Sequence, residues 1–308
     1  MKSEQLLIIG CGDIGIRVGL KWLDCGGSVS ALRRNVAALP HGFAPLEGDY
    51  TVDAGLHALR GLSPDYILFT PLPAARDPAG YERGYAEAVG RIAHHGVFDG
   101  VKAAVMVSST RVYGEQEGAW VDESAELTKT DDAAIAIIEA EKRFLAATPN
   151  QRGVVLRASG IYGSALNNPN MGMLLQRVCR GERAADPTRM SNRIHRDDLA
   201  RAITFAFERS TSSAALNGIY NCSDSEPAPI GEVETWLAQQ LDLAVSPRDS
   251  TKASISVRGN RRVANQRLLA TGFKLTYPTY RDGYAEVLSD IPRPLLGAQM
   301  LDATASTA

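Results

Sequence analysis

Leu6-Leu7-Ile8-Ile9-Gly10-Cys11-Gly12-Asp13-Ile14-Gly15 is the stretch on which the fold turns. Four apolar residues in a row, too short a run for a helix, end abruptly in glycine: a buried strand followed by a tight turn. The residues beyond it, to about Leu23, read as an amphipathic helix. Glycines spaced Gly10-x-Gly12-x-x-Gly15 between a strand and a helix each have a task. Gly10 permits the turn, Gly12 lets backbone approach a pyrophosphate, and Gly15 allows the helix to pack closely on the strand. The helix start then offers free N–H groups and the positive end of its dipole. Gly10, Cys11, Gly12, Asp13, Ile14 and Gly15 are thus read as a dinucleotide phosphate loop.

Working outward, Ser28 to Leu32 reads as the second strand, and it runs into Arg33-Arg34. A site for NAD usually places a carboxylate there to accept from the ribose 2′-hydroxyl, whereas arginine suits a 2′-phosphate. No acid occupies positions 30 to 35. NADP is therefore the expected cofactor, with NAD the second choice. Phe43 to Leu46 reads as a third strand, and Gly48-Asp49 after it would bring Asp49 near the adenine ring.

Further strands are expected at Tyr66 to Phe69, Ala103 to Val107, Val154 to Leu156 and Ile219 to Cys222. Helical spacing covers Tyr81 to His95, Glu139 to Leu145, Asp198 to Glu208 and Ile230 to Leu241. Another helix is expected from Val263 to Ala270, with Asn260 as its N-cap and Gly272 just past its end. Strands alternating with helices give an α/β fold, a Rossmann-type doubly wound parallel sheet. The expected division is a dinucleotide-binding domain from residues 1–163 and 192–225, with a smaller C-terminal substrate-binding region from 164–191 and 226–293. Residues 294–308 read as a flexible tail.

Composition excludes several classes. The 33 basic and 35 acidic residues nearly cancel, which argues against nucleic acid or an anionic membrane as partner. No apolar run approaches the roughly 18 to 20 residues a membrane span needs. Cys11, Cys25, Cys179 and Cys222 are scattered, without metal-ligand spacing, so no metal is expected and a reducing, cytoplasmic setting fits.

Several segments resemble the NAD-dependent epimerase/dehydratase family, the extended branch of the short-chain dehydrogenases/reductases. They are Ser108-Ser109-Thr110-Arg111-Val112-Tyr113-Gly114, Leu156-Arg157-Ala158-Ser159-Gly160-Ile161-Tyr162-Gly163, Asn192-Arg193-Ile194-His195-Arg196-Asp197-Asp198-Leu199-Ala200 and Gly218-Ile219-Tyr220-Asn221. They follow one another in the family's order. The resemblance implies that Ser109 hydrogen-bonds the reacting oxygen of a substrate. It also implies that Ser108, Ala158 and Ile161 line the nicotinamide end of the cofactor, and that Thr70 and Pro71 run beside its ribose. His195 reads as fold-holding sooner than catalytic. A homodimer through Rossmann helices is implied as well.

The family's acid/base pair is a tyrosine with a lysine four residues later, one helical turn apart so that the ammonium faces the phenol. No tyrosine here has lysine at that spacing. Aligning the helix by its acidic end, Glu139 or Glu141, puts Ala133 and Ile137, or Asp131 and Ile135, in the two places. The resemblance is thus to the atypical subgroup lacking the pair. Tyr113 is the expected substitute, with Lys142, Asp132 and Glu139 as alternatives. Thr70-Pro71-Leu72-Pro73 also departs from the family's His-x-Ala-Ala loop.

The stretch from Arg248 to Arg267 is basic. In sugar-nucleotide enzymes of this family such arginines neutralise a substrate diphosphate. Arg193, Arg261 and Arg262 are the substrate-binding candidates, and a solvated helix face is the plainer alternative. Two functions are expected. One is an oxidoreductase or epimerase using NADP on a sugar-nucleotide-like or other small hydroxyl or carbonyl substrate; more than one anionic or polar small molecule fits. The other is a non-catalytic NADP-binding sensor or partner protein.

Overall fold

The computed structural model describes residues 4–148, 152–163, 173–243 and 259–289. In chain order the elements begin β1 (Gln5–Ile9), α1 (Asp13–Asp24), β2 (Ser28–Arg33), β3 (Phe43–Glu47), β4 (Tyr66–Phe69), α2 (Pro78–Gly84), α3 (Ala86–His94) and β5 (Ala103–Ser109). They continue β6 (Trp120–Val121), α4 (Asp132–Ala147), β7 (Gly153–Ala158), β8 (Gly160–Tyr162), α5 (Met173–Cys179), β9 (Met190–Ser191), β10 (Arg193–His195) and α6 (Arg196–Glu208). Last come β11 (Gly218–Cys222), β12 (Ala228–Pro229), α7 (Ile230–Gln240), β13 (Arg262–Val263), α8 (Gln266–Ala270) and α9 (Tyr280–Ser289).

Seven strands form one sheet in the order β11-β7-β5-β4-β1-β2-β3, every pairing parallel. Both faces are covered, so the strands read as continuous apolar runs and their residues alternate between two cores. Leu6 and Ile8 face α1 and α6, with Val18, Ile203 and Phe207. Leu7 and Ile9 face α3 and α4, with Val89, Ile137 and Phe144. This is the doubly wound Rossmann architecture.

Register brings the strand ends together. Ile9 pairs with Leu32 on one side and Phe69 on the other, so Gly10 emerges between Arg33 and Thr70. Ser109 likewise pairs with Ala158. The order reverses at β1 and β4, where open α/β sheets form their ligand crevice at the carboxyl ends of the strands. A third apolar cluster, with Tyr162, Leu175, Val233, Leu237, Tyr280 and Tyr284, joins α5, α7 and α9 beyond that edge. Leu268 and Phe273 instead belong to the core beneath the sheet. No helix among the described residues is long and apolar enough to cross a membrane.

Two elements differ from the sequence reading. The expected helix Tyr81 to His95 breaks at Tyr85 (φ −116°, ψ −81°). Gly84 lies so close to the loop after β4 that a Cβ there would meet the Leu72 carbonyl at 2.2 Å, and the chain turns away. The expected helix from Val263 starts only at Gln266. The Arg262 and Ala264 amides donate to Ala119 and Val121 carbonyls, drawing residues 262–263 into a strand pair with β6. Asn260 is no cap; its side-chain oxygen accepts from the Met190 amide. Gly272 does follow the helix end, at φ +93°. Asn167-Asn168-Pro169-Asn170, whose composition predicts a loop, the basic residues Arg248, Lys252 and Arg258, and the tail lie outside the described residues.

Candidate cofactor and substrate cleft

The glycine loop has the geometry its spacing encodes. Gly10 sits at φ +80°, and a Cβ on it would lie 2.7 Å from the Thr70 carbonyl oxygen. On Gly15 a Cβ would lie 2.9 Å from Ile8 Cγ2, so α1 packs hard against β1 only because that atom is missing. At Gly12 the nearest neighbour of a Cβ is the Gly10 carbonyl oxygen, 4.0 Å away, so a side chain there would fill open space. Gly12 is the N-cap of α1, and the first-turn amides of Asp13, Ile14 and Gly15 have no intrahelical acceptor. The Asp13 carboxylate turns aside, toward Arg17 at 3.5 Å and Arg196 at 3.3 Å.

Gly10, Cys11 and Gly12 form one wall of a cavity of about 280 Å³, with Arg33, Arg34, Asp49, Tyr50 and Thr70 around it. Arg33 is half-buried and makes no ion pair among the described residues. Arg34 is exposed, with Nη1 4.0 Å from Asp49 Oδ2. Asp49 Oδ1 accepts from the amide and hydroxyl of Thr51, which fixes its turn. Cys11 contributes an inert wall. Burial pushes its thiol up to about 12, with Arg33 opposing.

The loop after β4 is stiffly held. Thr70 Oγ1 donates to the Gly10 carbonyl at 2.5 Å. The Leu72 amide donates to the Tyr50 hydroxyl at 2.8 Å, and that hydroxyl donates to the Leu72 carbonyl at 3.3 Å. Tyr50 is a wall residue of the first cavity that nothing local in its sequence marks.

A second cavity, of about 500 Å³, follows at the ends of β5 and β7. Leu72 lines both cavities. Pro71, Ser108, Ser109, Ala158 and Ile161 line the second, as do Tyr81, Arg111, Ile137, Arg189 and Arg261. Ser109 Oγ accepts from the Arg111 amide at 3.2 Å, which leaves its own hydrogen to donate. Ser108 touches the cavity, but its hydroxyl donates inward to Glu141 Oε1 at 2.5 Å. It offers the cofactor no side-chain donor.

Three expected site residues are not brought to the cleft. Tyr113 is 1% exposed; its hydroxyl accepts from Arg157 Nη1 at 3.0 Å and donates to Asn221 Oδ1 at 2.6 Å. Burial pushes its phenol up, against Arg157. Arg157 also grips Glu141, with Nη2 to Oε2 at 2.7 Å and Nε to Oε1 at 3.0 Å. Burial opposes the Arg157 charge, but the Glu141 carboxylate outweighs it. Tyr113 therefore belongs to a buried strut joining β5, α4, β7 and β11. Arg193 is 3% exposed, its guanidinium 5.6 Å from the Tyr280 ring centre and donating to Ser191 Oγ at 2.5 Å. Arg262 Nη1 donates to the Gly118 carbonyl, outside the cavity wall. Arg261 does reach the cavity, its Nη1 donating to the Gly114 carbonyl at 2.7 Å.

Ile137 lies on the α4 face that meets the cleft, and Glu141, one turn on, is the buried partner of Arg157. Of the residues in the two alignments, Ile137 lines the cavity, whereas Ile135 is 42% exposed. His195 is fold-holding. Its Nδ1 accepts from the Asp197 amide at the start of α6, so Nε2 carries the hydrogen it shares with Glu286 at 3.1 Å. Asp198, wholly buried, accepts from the amides of Thr276 and Tyr277 at 2.8 Å each.

No family model and no curated protein sequence matches the chain. Solved structures do. A protein of Methylobacillus flagellatus, provisionally described as an NAD-dependent epimerase/dehydratase, is 29% identical with a TM-score of 0.75, over 94% of this chain and 98% of that one. A functionally unknown conserved protein from Silicibacter pomeroyi DSS is 27% identical with a TM-score of 0.71, over 94% and 99%. MoeE5, solved with UDP-glucuronic acid and NAD, has a TM-score of 0.75 over 92% and 98%; at 22% identity that likeness is one of fold alone. The structural neighbours are thus of the NAD-dependent epimerase/dehydratase type.

Proposed function

We propose that the chain is an oxidoreductase of the epimerase/dehydratase type, binding NADP in preference to NAD. Its substrate on this reading is a small, anionic hydroxyl or carbonyl compound resembling a sugar nucleotide. The observation that carries the proposal is the pair of cavities meeting at Leu72, one walled by the glycine loop and Arg33, the other by Ser109. The open space at Gly12 is what a pyrophosphate would occupy.

The amides of Asp13, Ile14 and Gly15 would hold the pyrophosphate, and Arg33 the 2′-phosphate. Thr70 and Pro71 would flank the ribose, with Ala158 and Ile161 at the nicotinamide end. A bound nicotinamide would supply or accept the hydride. Ser109 would donate to the substrate oxygen. Arg189 and Arg261 on the cavity wall favour a negatively charged substrate. Burial lowers the Arg261 guanidinium to about 10, which leaves it a cation at neutral pH. The partners called for are this small molecule and a second copy of the chain, with neither nucleic acid nor a membrane surface. Four free cysteines fit a reducing, cytoplasmic setting.

Calorimetry on clean apoprotein tests the cofactor: binding of NADPH more tightly than NADH is expected, and no heat from either dinucleotide would refute the proposal. The second reading, a non-catalytic NADP sensor, is favoured by Ile137, an apolar side chain at the cleft-facing place on α4. Steady oxidation of NADPH in the presence of a carbonyl substrate would exclude it.

A further inference from the structure

The proposed chemistry needs a group that moves a proton beside Ser109, and the side chains around the second cavity narrow the choice. Ser108 has its hydroxyl committed to Glu141. Tyr85 is 8% exposed, and burial pushes its phenol up. Lys142, Asp132 and Glu139 are not on the cavity wall, and Glu139 is taken by Arg143 at 2.8 Å. Tyr81 is different. It is half-buried on that wall, and its hydroxyl accepts a hydrogen bond from Arg111 Nη1 at 3.1 Å.

Arg111 is itself locked. Nε and Nη2 grip the two carboxylate oxygens of Asp131 at 2.6 and 2.9 Å, and Asp131 is the N-cap of α4. The Arg111 amide meanwhile donates to Ser109 Oγ. One residue therefore fixes the oxygen atoms of two hydroxyls on one cavity wall, and leaves each with its hydrogen to offer the cleft. The Tyr81 backbone is fixed too. Gly80 and Gly84 press α2 onto the loop after β4, where a Cβ would lie 2.3 Å from the Ala75 carbonyl oxygen and 2.2 Å from that of Leu72.

We propose that Tyr81 is the proton-transferring residue of the cleft, with Arg111 holding its hydroxyl and balancing the charge it gains. The inference rests on the function proposed above. A bound reduced nicotinamide would supply the hydride to the carbonyl carbon in the reducing direction. The phenol O–H breaks, its proton passes to the carbonyl oxygen, and the phenolate stays beside the guanidinium until water reprotonates it. In the oxidising direction the phenolate would take the proton from the substrate hydroxyl, and a bound oxidised nicotinamide would accept the hydride. Tyr81 is then catalytic; Arg111 and Asp131 are positioning residues.

The test uses the whole chain with NADPH and either pyridine-3-carboxaldehyde or dihydroxyacetone, and with NADP and UDP-glucose. Tyr81→Phe is expected to lower kcat by about 100-fold or more, the usual share of a general acid, with KM and the NADPH Kd, read by fluorescence, within about two-fold. Arg111→Met is expected to lower kcat and move its pH profile, and Arg111→Lys to recover part of the loss. Independently, nitration of apoprotein by tetranitromethane, mapped by peptide mass, should mark Tyr81 and spare Tyr85 and Tyr113. The proposal is overturned if Tyr81→Phe keeps its kcat within about two-fold, if Tyr81 escapes nitration, or if wild type binds NADPH yet turns over none of the probes. Failure of wild type to bind either dinucleotide would instead sink the cofactor reading, and this one with it.

Discussion

Arg33 carries the choice between the two dinucleotides. Half-buried on the cavity wall and without an ion pair among the described residues, it has one charge-assisted bond to offer a 2′-phosphate. Arg33→Ala should weaken NADPH binding about ten-fold or more, on the order of 1.5 to 3 kcal/mol, and spare NADH. Equal loss for both in a fluorescence titration would refute the assignment. Gly15→Ala tests the loop itself. Its Cβ would press on Ile8 Cγ2 and, at 3.2 Å, on Cys11 Sγ, so a loss of about 1 to 3 kcal/mol in urea unfolding is expected. These glycines were legible in the sequence because their spacing encodes a turn and a contact. Tyr113 was not. Its hydroxyl is spent on Arg157 and Asn221, 44 and 108 residues away, and only the folded register brings them together.

At the scale of elements, the Glu141–Arg157 pair clamps α4 to β7 at the floor of the cleft, both side chains 2% exposed. Glu141→Ala would strand a buried guanidinium and should cost about 3 to 5 kcal/mol. Tyr113→Phe should cost only about 1 to 2 kcal/mol, for the unpaired Asn221 and Arg157, with NADPH affinity kept within about two-fold. A fall in affinity at unchanged stability would return Tyr113 to the cleft. The strands of the sheet were readable because burial on both faces writes them as short apolar runs. The break at Tyr85 and the strand at Arg262–Val263 were not, since each is imposed by backbone from a distant segment: the loop at Leu72 in one case, residues 119–121 in the other. For the same reason Tyr81 and Arg111, thirty positions apart in sequence, gave no joint signal.

For the whole molecule, two buried groups set opposing trends with pH. Burial lowers His195 to about 4, with Asp197 and Asp198 opposing. The unfolded chain binds that proton more readily, so stability is lost as pH falls from about 6.5 toward 4. Burial raises Asp224 to about 8, with Arg193 opposing. The folded chain keeps that proton while the unfolded chain releases it, so stability is lost as pH rises from about 4 to 8. The two trends offset each other below about 6.5, leaving a net decline of order 1 to 2 kcal/mol between pH 6.5 and 8. Asp224→Asn should flatten that decline in thermal unfolding; a slope unchanged by the substitution would count against it. The layout of α1 has a practical corollary. The helix starts at the glycine loop and ends 12 residues later at Cys25, on the opposite rim of the sheet, about 18 Å away at ~1.5 Å per residue. Cys25 is exposed, whereas Cys11 and Cys222 are buried. A maleimide dye should attach there first, giving a reporter of unfolding that stays blind to whatever occupies the cleft.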